Sequence, residues 1–284
     1  MNNELPIAQY KEAILDTVAN NQVTIIVAET GAGKSTQGPQ YFLEAGYRFV
    51  ITQPRILAAR SLAERVAGEF GCELGGLVGY RTARERKDSK DTKCLFCTDG
   101  LALVRELGGV EGYNLIILDE VHEWSINIET LVAWYKKALG TNPKLKLVLM
   151  SATIDAEKLS TYFGGAPIVK IPGRLFPVTE IRPSGKILED DAIRLLKEGR
   201  NVLIFQPGKK EIGETIDLLR ASGVNAEVLP LHGELSPAEQ ALCFQTYGRP
   251  KCVVSTNVAQ TSVTIPDIDA VVDPAPEPVR IAAA

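Results

Sequence analysis

The feature that most restricts what this chain can fold into is a short glycine-containing loop. Ala28-Glu29-Thr30-Gly31-Ala32-Gly33-Lys34-Ser35-Thr36 follows the β-branched run Val23–Ala28 and opens onto a helix-like stretch. A phosphate needs several backbone N–H donors converging on it with no side chains in the way. Gly31 and Gly33 leave that approach open. A helix starting near Lys34 adds about half a positive charge at its N-terminus. Lys34 can then reach the outer phosphates, and the Ser35 hydroxyl can hold Mg2+. The common form of such a loop has Gly where this chain has Ala28, and alanine is small enough to be accommodated. The competing reading is a turn that merely caps a helix. Gly33-Lys34-Ser35 between a strand and a helix weighs against it.

A loop of this kind needs a strand before it and a helix after it, and the rest of the chain repeats that alternation. Ile7, Tyr10, Ile14, Leu15 and Val18 place an amphipathic helix over 6–20. Phe49–Thr52, Cys94–Thr98, Leu115–Leu118 and Leu145–Met150 read as strands, and Arg55–Phe70 as a helix. The pattern is that of an α/β fold with mostly parallel sheets. Pro167, Pro172-Gly173 and Pro177 crowd one short segment, which reads as an interdomain connection. A second series follows, with strands at Val202–Phe205, Ala226–Leu231, Lys251–Ser255 and Ala270–Val272. Helices are expected at Ala192–Lys197, Glu211–Ala221 and Pro237–Tyr247. The expected domains are 1–172 and 173–284, which suits 284 residues at about 100–200 per domain. The proline- and alanine-rich end, Pro274–Ala284, is expected to fray.

The second chemical constellation is Leu115-Ile116-Ile117-Leu118-Asp119-Glu120-Val121-His122. An apolar strand delivers two acids to its C-terminal end, where ligands bind in parallel α/β sheets. Asp119 is read as a Mg2+ ligand together with Ser35 and Glu120. Glu120 is read as the group that orients and deprotonates an attacking water. Two acids after a strand are a weak signal alone. Paired with an upstream phosphate loop they complete a nucleotide site.

The remaining composition mainly excludes. There are 31 basic and 35 acidic residues, so any nucleic-acid surface must be a local track within a net charge of −4. The five cysteines are scattered and odd in number, which argues against a disulfide framework. Cys94 and Cys97 form an isolated pair in an apolar run and read as buried strand residues. The absence of a long apolar run and of a leader-like start implies no membrane span and an intracellular, cytoplasmic location.

With these motifs in hand, the chain resembles the DEAH-box helicases of superfamily 2, from Leu5 to about Asp273. Motif I resembles Glu29–Thr36, motif Ia Thr52-Gln53-Pro54-Arg55, and motif Ib Thr98-Asp99-Gly100. Motif II is Asp119–His122, with Val121 where Ala is usual. Motif III is Ser151-Ala152-Thr153. In the second half, Leu203–Gly208 resembles motif IV and Ser255–Ser262 motif V. The resemblance implies two RecA-like domains, ATP or another NTP with Mg2+ as cofactors, and single-stranded nucleic acid, RNA favoured, as partner. It implies a base stacked between Arg65 and Phe244, with Thr264 and Asp267 near the nucleotide. It implies backbone contacts to nucleic acid from Arg55, Thr98, Asp99, Gly208, Thr256 and Asn257, which position without reading sequence. His122 is implied to couple the ATP site to Ser151 and Thr153.

The chain also departs from the family. Ile56 stands where a second Arg is usual, and Gln260 where Glu is usual. After Asp273 the family continues into motif VI, whose arginine fingers are worth about 10³–10⁵ in rate. No such segment follows here, so the second domain is expected to be incomplete at its C-terminus. The expected function is an ATP-dependent helicase motor that couples Mg-NTP hydrolysis to movement on single-stranded nucleic acid. The alternative is a non-processive, nucleotide-dependent binding module, or a motor completed in trans by a second chain.

Overall fold

A computed structural model describes residues 5–29, 31–108, 112–152, 156–173, 179, 187–259 and 265–273. The chain divides into two compact units, Met1–Pro177 and Val178–Ala284. Each is a mostly parallel sheet flanked by helices, the α/β architecture of RecA-like domains.

In the first unit the chain runs through a 3-10 turn at Pro6–Tyr10, then α1 (Lys11–Asn20), β1 (Val23–Ala28), α2 (Lys34–Glu44), β2 (Phe49–Gln53) and α3 (Ile56–Phe70). It continues through β3 (Val78–Arg81), β4 (Arg86–Lys87), β5 (Cys94–Thr98), α4 (Asp99–Leu107), β6 (Leu115–Leu118) and α5 (Ile126–Thr141). It closes with β7 (Lys146–Ser151), α6 (Ala156–Tyr162) and β8 (Ile168–Ile171). The eight strands lie in the order β4-β3-β5-β2-β6-β7-β1-β8, parallel except for the β3–β4 pair. Strand alternation divides the apolar residues between two cores. Phe49 and Ile51 of β2, with Leu115 and Ile117 of β6, join Ile14, Phe42 and Val66 on one face. Val50, Ile116 and Leu118 join Ile128, Leu131 and Tyr135 on the other. Central strands covered on both faces are apolar throughout, which is why these runs were readable. Each such side chain contributes roughly 1.5–3 kcal/mol of burial.

Three segments differ from expectation. The 167–177 connection contains a strand: β8 pairs in parallel with β1 from Ile25↔Ile168 to Ala28↔Ile171. As an edge strand it is only partly buried, so it lacks the apolar signature of the inner strands. The β3–β4 hairpin was not expected either, because Gly79 interrupts its short run. There a Cβ would stand 2.5 Å from the Lys87 carbonyl oxygen, so glycine is what allows the hairpin to close. The expected 6–20 helix begins instead as the 3-10 turn at Pro6–Tyr10.

The second unit comprises α7 (Leu188–Lys197), β9 (Val202–Phe205), α8 (Lys209–Ala221), β10 (Glu227–Leu231), α9 (Pro237–Leu242), β11 (Lys251–Ser255) and β12 (Ala270–Val272). Its sheet runs β10-β11-β9-β12, all parallel. Ser236 and Glu239 form a capping box that starts α9. The helix stops at Leu242, short of the expected Tyr247. The buried Lys251 ammonium takes the Cys243 carbonyl, which a helix continuing to Tyr247 would use, and the Gln245 carbonyl beside it.

Candidate nucleotide site

The strand order puts β7 between β1 and β6, so the loops leaving β1 and β6 flank one crevice at the C-terminal edge of the sheet. The β1 loop turns through two left-handed glycines, Gly31 (φ 83°) and Gly33 (φ 94°). A Cβ on Gly33 would also approach Ile7 Cγ2 to 3.0 Å and Leu5 Cδ1 to 3.1 Å. The N-terminal segment therefore backs the loop. The Ile7 N–H donates to the Ala32 carbonyl at 3.2 Å, and Ala32 is fully buried. Gly33 caps α2, whose first residues Lys34, Ser35 and Thr36 face the crevice or the core beneath it. Ala28 is fully buried in the core, so its methyl fills space that glycine would leave. Thr30 lies outside the described residues.

The β6 strand ends in Asp119 and Glu120, both buried. Glu120 adopts a left-handed backbone, φ 54° and ψ 37°. For a non-glycine residue this costs of order 1–3 kcal/mol and needs surrounding contacts to hold it. Lys34 Nζ donates to Glu120 Oε1 at 2.6 Å. Ser35 Oγ donates to Asp119 Oδ2 at 2.6 Å, and Gln53 Nε2 donates to the same oxygen at 2.7 Å. The Glu120 N–H closes on Asp119 Oδ1 at 2.9 Å. Glu120 Oε2 lies 3.4 Å from His122 Nε2. The Ala152 N–H donates to His122 Nδ1 at 3.4 Å, which fixes the tautomer with its proton on Nε2.

The electrostatics follow from packing two acids, a lysine and a histidine out of water. Burial pulls the Lys34 ammonium down, but the summed pull of Asp119, Glu120 and Glu123 outweighs it and holds the group above the ordinary lysine range. Burial and the neighbouring Asp119 push Glu120 up to about 7, against the opposing pull of Lys34. Burial and the Lys34 charge lower His122, so it is neutral at neutral pH and accepts from Ala152 while donating toward Glu120. Ser35 Oγ and Asp119 Oδ2 are two hard oxygens meeting at one point, the donor type Mg2+ takes. Both oxygens of Glu120 also meet protein groups, Lys34 on one and His122 on the other.

Family comparison decides the lineage. The model for "DEAD/DEAH box helicase" matches residues 8–161, and that for "Helicase conserved C-terminal domain" matches 187–278. The chain belongs to the DEAD/DEAH box helicases. It is similar to the ATP-dependent RNA helicase HrpA of Escherichia coli, with 38% identity covering 96% of this chain and 22% of the relative. It is 40% identical to the probable ATP-dependent RNA helicase DHX34 of Homo sapiens, covering 95% of this chain and 26% of the relative. The putative ATP-dependent RNA helicase ucp12 of Schizosaccharomyces pombe shows 36% identity over 95% of this chain and 24% of its own length. The chain thus spans roughly a quarter of the length of these relatives.

Within this helicase chain, the other expected residues fall into distinct environments. Arg65 is exposed on α3 and pairs with Glu69 at 2.9 Å. Glu69 also accepts from Gln37 and Gln40 of α2, so it ties Arg65 to the phosphate-loop helix. Arg55 Nη1 pairs with Glu123 Oε1 at 2.9 Å, just past the Asp119–His122 box. Thr98 caps α4 and is half-buried. Asp99 departs from its expected role. It is 4% exposed, its Oδ1 has no partner among the described residues, and burial pushes it up to about 7. A side chain turned inward is not placed to touch a phosphate backbone. Ser151 ends β7 in the core, and Thr153 lies outside the described residues.

In the second unit, Gly208 precedes α8, and a Cβ there would stand 2.7 Å from Glu211 Oε2. Thr256 is half-buried and Asn257 exposed after β11. Phe244 sits half-buried in the turn after α9. Asp267 has a left-handed backbone, φ 64°, accepts from Thr246 Oγ1 at 2.6 Å, and through its carbonyl accepts from Asn201. Lys251 Nζ donates to the carbonyls of Cys243, Gln245 and Pro266, so it binds the Phe244 and Asp267 segments to one point. Thr264 and Gln260 lie outside the described residues.

Reading the sequence missed Gln53, Glu69, Glu123 and Lys251. Only Gln53 carried a signal: it is the last residue of a buried strand, at the sheet edge where ligands bind.

Proposed function

We propose that this chain is the NTP-hydrolysing motor of a DEAH-box RNA helicase, working through Lys34, Ser35, Asp119 and Glu120. The observation that carries the reading is the closed circuit of Lys34 on Glu120 and Ser35 on Asp119. A phosphate-binding cation and hydroxyl are stored against the two acids they must leave when a nucleotide enters. Gly31, Ala32, Gly33 and Thr36 shape the loop that receives the phosphates, and the exposed Arg65 offers a guanidinium face to a base. Ser35 and Asp119 would hold Mg2+, which when bound supplies positive charge against the outer phosphates. Glu120, released from Lys34, accepts a proton from the attacking water. While paired with Lys34 the carboxyl is already raised to about 7 by burial and Asp119, close to the pH at which a base must work. His122, through Ala152, joins the acids to the end of β7 and so to the Ser151–Thr153 segment. Arg55, Thr98, Gly208, Thr256 and Asn257 are the residues we assign to the nucleic-acid backbone. The RNA preference rests on the relatives, which are named as RNA helicases.

The test is RNA-stimulated ATP hydrolysis by the purified chain. Hydrolysis that rises with single-stranded RNA and falls at least about a hundredfold in Glu120→Gln supports the reading. Residual hydrolysis unchanged in Glu120→Gln overturns the assignment of the base.

A further inference from the structure

The amide of Gln53 is the best-placed group in the first unit that has no assigned role. It is fully buried at the end of β2. Its Nε2 donates to Asp119 Oδ2 at 2.7 Å, the oxygen that Ser35 also reaches. Its Oε1 is buried with no partner among the described residues. The amide's orientation is not arbitrary. Reversing it would set its oxygen against a carboxylate oxygen at hydrogen-bond distance. Asp119 therefore receives three protein donors: the Glu120 N–H on Oδ1, and Ser35 and Gln53 on Oδ2. When Ser35 turns its oxygen to a metal, only Gln53 still holds Oδ2 in place.

We propose that Gln53 is a positioning residue for the metal site. It fixes the rotation of the Asp119 carboxylate so that a free lone pair of Oδ2 points to the divalent cation, and its Oε1 accepts a hydrogen from water carried by that cation. The inference rests on the nucleotide-site reading above. Groups behind a metal ligand set its orientation and basicity, and their loss costs about 10–100-fold in metal affinity or activity. The spare acceptor gives the proposal its second support. A buried carbonyl oxygen without a donor costs about 1–3 kcal/mol, so a donor arriving with the cation recovers what the empty site leaves unsatisfied. Gln53 also lies two residues before Arg55, which pairs with Glu123 just past the acidic box.

The test measures binding of a fluorescent ADP analogue to the whole chain as Mg2+ is titrated, in wild type and in the near-isosteric Gln53→Met. The expected result is about a tenfold higher Mg2+ concentration for half-maximal binding in Gln53→Met. Binding of the analogue in EDTA should be unchanged, because Gln53 does not touch the phosphate loop. Direct Mn2+ binding in the presence of ADP, read by electron paramagnetic resonance, should weaken by the same factor. An unchanged Mg2+ requirement in folded Gln53→Met overturns the proposal. Should that variant fail to fold, Gln53→Asn replaces it. Its amide is one methylene too short, so the Mg2+ requirement should rise in the same direction, and no rise overturns the idea. Wild-type protein that binds no Mg-nucleotide at all would instead bring down the nucleotide-site reading itself.

Discussion

Among the described residues two lysines are almost wholly withdrawn from water, one in each unit, and they are satisfied in opposite ways. Lys34 is 5% exposed and Lys251 1%. Lys34 sits against charge: Glu120 at 2.6 Å, with Asp119 and Glu123 adding to the field. Lys251 sits against neutral dipoles, donating to three carbonyls at 3.0–3.2 Å. Their protonation equilibria diverge accordingly. The acids hold Lys34 above the ordinary lysine range. Burial pulls Lys251 below it, with Asp267 and Cys243 only partly opposing. A carboxylate partner can be exchanged for a phosphate of like charge. Three carbonyls that anchor two turns cannot be exchanged without moving the turns. The first arrangement stores a ligand-binding group, and the second fastens a scaffold.

The sharpest way to break this contrast is to remove each cation in turn. Lys34→Ala should weaken nucleotide binding by about a thousandfold, within the roughly 2–5 kcal/mol that truncating one partner of a buried charge pair costs a complex. Its melting temperature should change little, because Glu120 neutralises itself by keeping a proton. Calorimetric titration with ADP, set beside thermal unfolding, checks both halves. A large loss of stability with binding preserved would make Lys34 the scaffold.

Lys251→Met should do the reverse. It strips a donor from the carbonyls of Cys243, Gln245 and Pro266 together, and each buried polar group left unpaired costs about 1–3 kcal/mol. Some of these carbonyls will find water, so we expect a loss of about 3 kcal/mol, read by chemical denaturation with a probe in residues 178–284. Wild-type stability in Lys251→Met would mean that the three hydrogen bonds do not hold the Phe244 turn.

Asp99 offers a third, smaller test, as a buried acid whose neighbours are the Thr52 hydroxyl and two further acids, Asp119 and Glu123. Burial raises it from 3.8 to about 7, and Asp119 and Glu123 add to the effect. The sign is the reverse of a salt-bridged acid. The folded state holds the proton above pH 3.8 where the unfolded chain releases it, so stability is lost as pH rises from there to about 7. Asp99→Asn should therefore stabilise the protein at pH 8 and leave it unchanged below pH 4. The gain should be about 2 kcal/mol, less than the full linkage of 1.36 kcal/mol per unit, since the new amide brings donors that must also be placed. Equal stabilisation at both pH values would show that Asp99 is solvated.

What the sequence disclosed depends on how local the cause is. The inner strands Phe49–Gln53 and Cys94–Thr98 were legible because parallel strands covered on both faces are apolar over most of their length. The loop glycines and Lys34 were legible because phosphate binding imposes its spacing within a few residues. Gln53 and Asp119 are 66 residues apart, and only the sheet order makes them neighbours. Asp99 was expected at the nucleic-acid backbone, but the register pairing Gln53 with Thr98 turns it toward the β2 end. Lys251 read as the polar start of a strand, and its three partners come from a turn and a loop that no periodicity announces. β8 was hidden for the opposite reason, because flanking prolines made an edge strand look like a linker.

The finest test asks whether Lys34 and Glu120 are held at the point of exchange. Burial and Asp119 bring Glu120 from 4.5 to about 7. As a base it must be ionised, so hydrolysis should rise roughly tenfold per pH unit below about 7 and level off above it. Burial and the Lys34 charge lower His122 from 6.5, so a limb near 7 should not be its own. A His122→Gln variant should keep a rising limb close to pH 7. Linkage runs the other way for the same carboxyl. The folded state retains the proton between 4.5 and about 7, so the contribution of Glu120 to stability falls across the interval in which activity rises. Opposed slopes for rate and melting temperature are what a functional group held under strain should give. A rate limb near pH 4.5 with a flat melting curve would place Glu120 in water, and the difference between the two buried lysines would then lose its meaning.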